Sequence, residues 1–251
     1  MLLKINNSIL ILSLSVFLLI FSSIKVFAVD NVGASKETEA DIEEILVTAN
    51  RTEQSISDVS QAVQALSGDD LQDLQITDFE QMIDLIPGAV QNSSISQGSN
   101  VYSIRGVASA ETDGDATIGY YLDNFAFSLP GRPYAPVTDI YDTERVEVLR
   151  GPSGTLYGLG SLGGTIKVIT KDPVIGEFEG SFKATLADID DGDSSHTGDL
   201  MLNIPLSENA ALRGVLSIKD IGGWAEIIPS NQTNGNPYDG ITGRLKLLVE
   251  P

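Results

Sequence analysis

A chain of 251 residues with 15 Lys plus Arg against 35 Asp plus Glu carries a net charge of −20, which repels phosphate backbones and argues against nucleic-acid binding. It has no cysteine and one histidine, His196, so disulfide frameworks, zinc–cysteine sites, iron–sulfur clusters and multi-histidine metal centres are excluded. With 24 Gly, 10 Pro and 20% charged residues, the composition points to an exported, turn-rich β protein.

Lys4 precedes the apolar run of residues 9–21, and Ala28 supplies a small residue at an expected cleavage point. That order is a secretory signal peptide, expected over residues 1–28. The run has 13 residues, short of the ~20 that a membrane-spanning helix needs. No later stretch is long and apolar enough either, which leaves a closed β-barrel as the way to span a bilayer. Residues 29–49 are expected to form a flexible tail, polar and rich in small residues. At its end Glu43, Glu44, Ile45, Leu46, Val47, Thr48 and Ala49 concentrate strand formers. Composition supports two readings equally: a strand that adds to a partner's sheet edge, or the first strand of the next domain.

Residues 50–175 mix periods and predict an α+β domain. Residues 61–66 read as a strand. Thr77-Asp78-Phe79-Glu80 reads as a capping box, with Thr77 as cap, opening a helix that Pro87-Gly88 stops. Phe79, Met82, Ile83 and Ile86 share one face of it. Residues 101–104, 118–122, 146–149 and 165–170 read as strands between Gly, Pro and Asp turns. From residue 176 to 251 the period becomes two. Phe178, Phe182 and Leu186, then Leu200, Leu202 and Ile204, then Leu212, Leu216 and Ile218, then Leu245, Leu247 and Val249 each alternate with polar neighbours. About four strands follow one another, with long connections at 188–197 and 222–239 and a tight turn at 207–210. Alternating long and short connections are the habit of an outer-membrane barrel.

The literal GxGxxG of residues 158–163 is followed by a strand and not by a helix, so it is no dinucleotide site. Asp188, Asp190, Asp191 and Asp193 lack the spacing and closing Glu of a calcium loop. His196 reads as a solvated loop residue. No catalytic set, metal site or cofactor site emerges, and the chain is not expected to be an enzyme.

Residues 144–158, ERVEVLRGPSGTLYG, and 163–171, GGTIKVITK, resemble the plug domain of TonB-dependent outer-membrane receptors. Ser103-Ile104-Arg105-Gly106 and Tyr121-Leu122-Asp123-Asn124 match two further plug segments in order. The quoted plug positions include Gly106, Gly151, Pro152, Gly154, Tyr157, Gly158, Gly163 and Gly164. Ser153 stands where Gln is common and Asn124 where Gly is usual; Asn tolerates a left-handed turn, so the turn should persist.

The resemblance implies an α+β plug followed by the first antiparallel strands of a transmembrane β-barrel. Such receptors have 22-stranded barrels, so four strands make the barrel incomplete and the sequence reads as an amino-terminal piece. Residues 43–49 are similar to the family's TonB box, which favours the partner-strand reading. The implied partners are TonB with its inner-membrane energising complex, outer-membrane lipid, and a small ligand such as a ferric siderophore. The implied location is the outer membrane, with plug and TonB box facing the periplasm. Arg105 and Arg150 are the implied latches to barrel carboxylates. The rival reading is a secreted adhesin or soluble β-rich binder without transport activity.

Overall fold

Alternation of apolar residues with polar ones builds two kinds of sheet here, one enclosed on both faces and one left with a bare apolar face. The computed structural model describes residues 46–49, 51–76, 78–94, 100–109, 114–127, 131–132, 135, 139–158, 160–190, 192–227 and 232–251. All of them belong to one unit, Glu44–Pro251. The expected signal peptide, most of the tail, and Glu43, Glu44 and Ile45 lie outside the described residues.

The chain enters through β1 (Leu46–Val47), which pairs antiparallel with β2 (Gln54–Ser55). Strand β3 (Val63–Ser67) runs into helix α1 (Gly68–Asp73), where Ser67 Oγ accepts from the Asp70 N–H at 3.0 Å. Helix α2 (Phe79–Asp84) corrects the expected capping box. Its cap is Asp78, whose carboxylate accepts from the Gln81 N–H at 2.9 Å, and Glu80 instead accepts from the Asn100 amide. A carboxylate one residue nearer the helix meets the free N–H three positions on. Strands β4 (Ala89–Ser94), β5 (Asn100–Ile104) and β6 (Val107–Ala108) form a three-stranded sheet. Arg105 and Gly106, both at positive φ (52° and 78°), turn β5 into β6.

Strands β7 (Ile118–Leu122), β8 (Phe125–Ala126), β9 (Thr143–Arg150) and β10 (Gly164–Thr170) complete a five-stranded sheet of order β3-β9-β10-β7-β8, with helix α3 (Gly154–Tyr157) between β9 and β10. The β7–β8 turn persists as expected, but Asp123 takes the positive φ of 51° and Asn124 does not. One face of β9 and β10 presents Val146, Val148, Ile166 and Val168 to Phe79, Met82 and Ile83 of α2. Gly164 is required at its place: a Cβ there would lie 2.5 Å from the Leu149 carbonyl oxygen. The other face is covered by Val47, Ala49 and Tyr157 around Leu149. The expected tail of 29–49 therefore ends too late, because Leu46–Ala49 already belongs to the packed plug.

Strands β11 (Glu179–Ala187), β12 (Ser195–Ser207), β13 (Ala210–Ile221) and β16 (Tyr238–Val249) form a continuous antiparallel sheet in that order. The long connection before β16 holds a hairpin, β14 (Ala225–Ile227) and β15 (Gln232–Gly235), that the periodicity does not announce. His196 sits on β12, paired with Leu186 and Asp220, and not in a loop. The barrel is not closed. Its sheet turns Phe182, Leu186, Leu216, Ile218, Leu245 and Leu247 outward and exposed, while Asp199, Met201, Asn203, Arg213 and Ser217 are buried on the side of the plug. Among the described residues no helix is long and apolar enough to cross a membrane.

Candidate functional site

Two constellations stand out: a clasp that seats Leu46–Ala49 in the plug, and a polar seam between plug and sheet.

The clasp forms because β9 and β10 place Glu147 and Lys167 opposite each other in register, on the face that β1 covers. Glu147 is fully buried. Its Oε1 accepts from the Thr48 N–H at 2.8 Å and from Arg145 Nε at 2.9 Å. Thr48 Oγ1 lies 3.0 Å from Glu147 Oε2, and Lys167 Nζ donates to that same Oγ1 at 2.6 Å. Burial pushes the Lys167 ammonium below its ordinary range, and the Glu147 carboxylate opposes that shift. Tyr157 closes the clasp: its hydroxyl donates to the carbonyls of Thr48 and Ala49, both at 3.0 Å. Arg51, at φ 60°, lies over the Tyr157 ring at 5.2 Å and donates from Nε to the Leu156 carbonyl at 2.8 Å.

Burial, with the nearby Glu147 charge, pushes the Tyr157 phenol up to about 12. A phenol whose pKa is raised on folding contributes its stability fully below about 10, its unfolded value, and loses it as pH rises through about 12. Protection of the Thr48 amide from hydrogen exchange should therefore persist at neutral pH and fall off above pH ~10. Tyr157→Phe removes a single proton shared between two carbonyls and should cost about 0.5–1.5 kcal/mol of that protection at neutral pH, and an unchanged Thr48 amide would refute the clasp.

The seam joins the plug to β11, β12, β13 and β16. Arg213 Nε and Nη2 grip Asp142 at 2.8 and 2.6 Å, and Nη1 reaches Glu179 at 3.1 Å. Both Arg213 and Asp142 side chains are buried, at 3% and 7% exposure. Arg244 donates to the main-chain carbonyls of Asp139 and Tyr141, and Thr242 Oγ1 donates to Asp139 Oδ2 at 3.2 Å. Lys246 Nζ reaches the Thr170 carbonyl at 2.9 Å, Asp172 at 3.0 Å and Asp123 at 3.3 Å. Asn203 ties down the linker between plug and sheet: its side chain accepts from Val174 N–H and donates to the Val174 and Glu177 carbonyls at 2.7–3.0 Å.

The structure brings Arg105 and Arg150 close to one corner, at Pro87-Gly88. The Arg105 N–H donates to the Gly88 carbonyl at 2.7 Å, and Arg150 Nη1 approaches the Pro87 carbonyl at 3.5 Å. Arg150 Nε is buried with no hydrogen-bond partner, and neither arginine forms an ion pair among the described residues. The seam that is present has the opposite sense, with acids on the plug and bases on the sheet. Of the quoted glycines, Gly106, Gly151 and Gly158 take positive φ, and Gly163 packs against Val107 so closely that a Cβ would lie 2.9 Å away. Sequence reasoning missed Glu147, Lys167, Asp142 and the bases of β13 and β16. A charge between Val146 and Val148, and another between Ile166 and Val168, are signals that were there to be read.

Residues 55–165 match the model of the TonB-dependent receptor plug domain. The pesticin receptor of Yersinia enterocolitica is 29% identical over 58% of this chain and 21% of its own length. The metal-pseudopaline receptor CntO of Pseudomonas aeruginosa is 31% identical over 71% of this chain and 23% of its own. The chain thus spans about a fifth of the length of these curated relatives. Among solved structures, the ferripyoverdine receptor of the Pseudomonas aeruginosa outer membrane superposes with a TM-score of 0.57 at 25% identity, over 70% of this chain and 22% of that one. With its plug over 55–165 and the antiparallel strands that follow it, the chain belongs to the TonB-dependent receptors.

Proposed function

We propose that the chain is the amino-terminal part of an outer-membrane receptor that takes up a scarce small ligand, a metal chelate such as a ferric siderophore, by energy drawn through TonB. The observation that carries this reading is the two-faced sheet: β11, β12, β13 and β16 hold an acidic-edged plug on their polar side and leave Phe182, Leu186, Leu216 and Leu245 bare on the other. Lipid is the partner that fits such a band, since apolar and polar residues alternate along a membrane strand. The metal-chelate class is supported by what the names of two relatives say of those proteins.

In this reading residues 1–28 direct export, and residues 29–49 carry the TonB box into the periplasm. There the strand-rich Ile45-Leu46-Val47-Thr48 of the box, residues 43–49, adds as a strand to a TonB sheet edge, and tension on it displaces the plug. Arg105 and Arg150, gathered at one corner with Arg150 Nε unpartnered, latch to carboxylates of barrel strands beyond the four described.

A peptide of residues 40–52 titrated with the TonB periplasmic domain tests the pairing. Leu46→Pro removes a backbone donor and should abolish peptide binding, and in the full-length receptor energised uptake of radiolabelled ferric siderophore, while ligand binding stays intact. Normal uptake by that variant would overturn the TonB-box assignment.

A further inference from the structure

The strand pairings of the wall are not all fixed by the same means. A tight turn at Glu208-Asn209 sets β13 against β12, because a hairpin that short dictates its own register. Between β13 and β16 lie residues 222–237, and closing so long a loop depends only weakly on two residues more or less. A slip of one residue would turn the apolar side of β16 inward, but a slip of two keeps every side chain on its own face. The outward row does not choose between these registers. As observed, Leu212, Leu216 and Ile218 meet Leu247, Gly243 and Ile241; slipped by two, they would meet Val249, Leu245 and Gly243. Charge opposes the observed register. Arg213 stands directly opposite Lys246, and Asp220 opposite Asp239, and like charges so placed repel. The same slip relieves both pairs, bringing Leu248 to Arg213 and Ile241 to Asp220.

The plug supplies what the strands lack. Asp142 grips Arg213 through two bonds, and Asp172 and Asp123 hold Lys246 at 3.0 and 3.3 Å. These two bases belong to one transverse row, Glu179, Asn203, Arg213 and Lys246, side by side across all four long strands. Asn203, within it, is buried and bonded to the linker backbone. Helices α1 and α2, by contrast, face the same sheet across a cavity of about 790 Å³, with Leu71 and Phe79 on one side and Lys183 and Thr197 on the other. We propose a second function for the plug: it is the template that sets β16 in register on β13 while the wall assembles. Strands β9 and β7 flank β10 in one sheet, so Asp142, Asp123 and Asp172, just beyond their ends, gather at one end of it at set separations. A wall with Arg213 beside Lys246 matches these carboxylates, and a wall slipped by two does not.

Disulfide trapping in the full-length receptor tests this, in outer membranes isolated from bacteria that make it. The chain has no cysteine of its own. Ile218→Cys with Ile241→Cys reports the observed register, and Ile218→Cys with Gly243→Cys reports the slipped one. Directly opposite residues lie about 4.5–5.5 Å apart between Cα atoms, within disulfide reach, whereas diagonal ones lie about 7–8 Å apart, beyond it. With the aspartates in place only the 218–241 bond should form, read by mass spectrometry of the joined peptides. With Asp123→Asn, Asp142→Asn and Asp172→Asn together, the wall is unchanged and the product should shift to the 218–243 bond. An undiminished 218–241 bond in that variant would overturn the proposal. If the variant reaches no membrane, adding Arg213→Met decides, because it removes the like-charged pair that the aspartates answer. Return of the 218–241 bond then supports the template. Continued failure refutes it, since the plug would be needed for stability and not for register.

Discussion

Arg213→Ala should destabilise the seating of the plug by about 3–5 kcal/mol, because it leaves Asp142 buried with its charge unanswered. Asp142 loses both of its bonds to the guanidinium at once, and Glu179 loses the third. Guanidinium unfolding of the detergent-solubilised full-length receptor, read through hydrogen exchange of the plug, measures the cost. Two companion variants separate an ion pair from a packing effect. Exchanging the partners, with Asp142→Arg and Arg213→Asp together, should restore most of the loss. Replacing both by apolar residues, Asp142→Leu with Arg213→Met, should be close to neutral, since it removes two desolvated charges along with their attraction. A loss in the double apolar variant as large as in Arg213→Ala would mean that shape and not charge holds the seam.

Leu216→Arg should cost about 2–4 kcal/mol if its place lies near the bilayer midplane, falling toward zero near either interface. Leu216 sits in the middle of β13, outward-facing and 41% exposed, paired with Leu200 and Gly243. The matching control is Thr197→Arg on β12, which faces inward onto the cavity and has room for a long side chain. Its effect should be small. Unfolding of the receptor from lipid vesicles compares the two. Equal costs at Leu216 and Thr197 would place the strands in a soluble sheet and sink the membrane reading.

Much of this molecule is legible from local pattern. Residues 118–122 are read as the strand they form, and residues 165–170 miss only Gly164 at the start of β10. The period-two run after residue 176 orders the four long strands correctly and assigns their apolar and polar sides, because a strand half in one medium and half in another must repeat every second residue. The capping register at α2 is off by one, since Thr77 and Asp78 are both good caps and only the position of the Gln81 N–H chooses between them. The β14–β15 hairpin escapes notice because its strands are short and lack alternation.

The chain by itself determined the helix that begins at Phe79, the central plug strands and the four long strands after residue 176, where the plug signature lies, and that an apolar band alternates with a polar one. Those are properties of neighbours in sequence, governed by backbone preference and by the period of burial. Helices α1 and α3 and the short strands β4, β6 and β8 were not announced. Tertiary structure alone decided which charges meet. Thr48 reaches Glu147 across 99 positions and Arg213 reaches Asp142 across 71. Nothing local to Arg105 or Arg150 distinguishes them from Arg213 or Arg244. A buried ion pair is specified by the desolvation that both partners share, and that shared burial exists only once β9 has packed beside β1 and the plug has come to rest on β13.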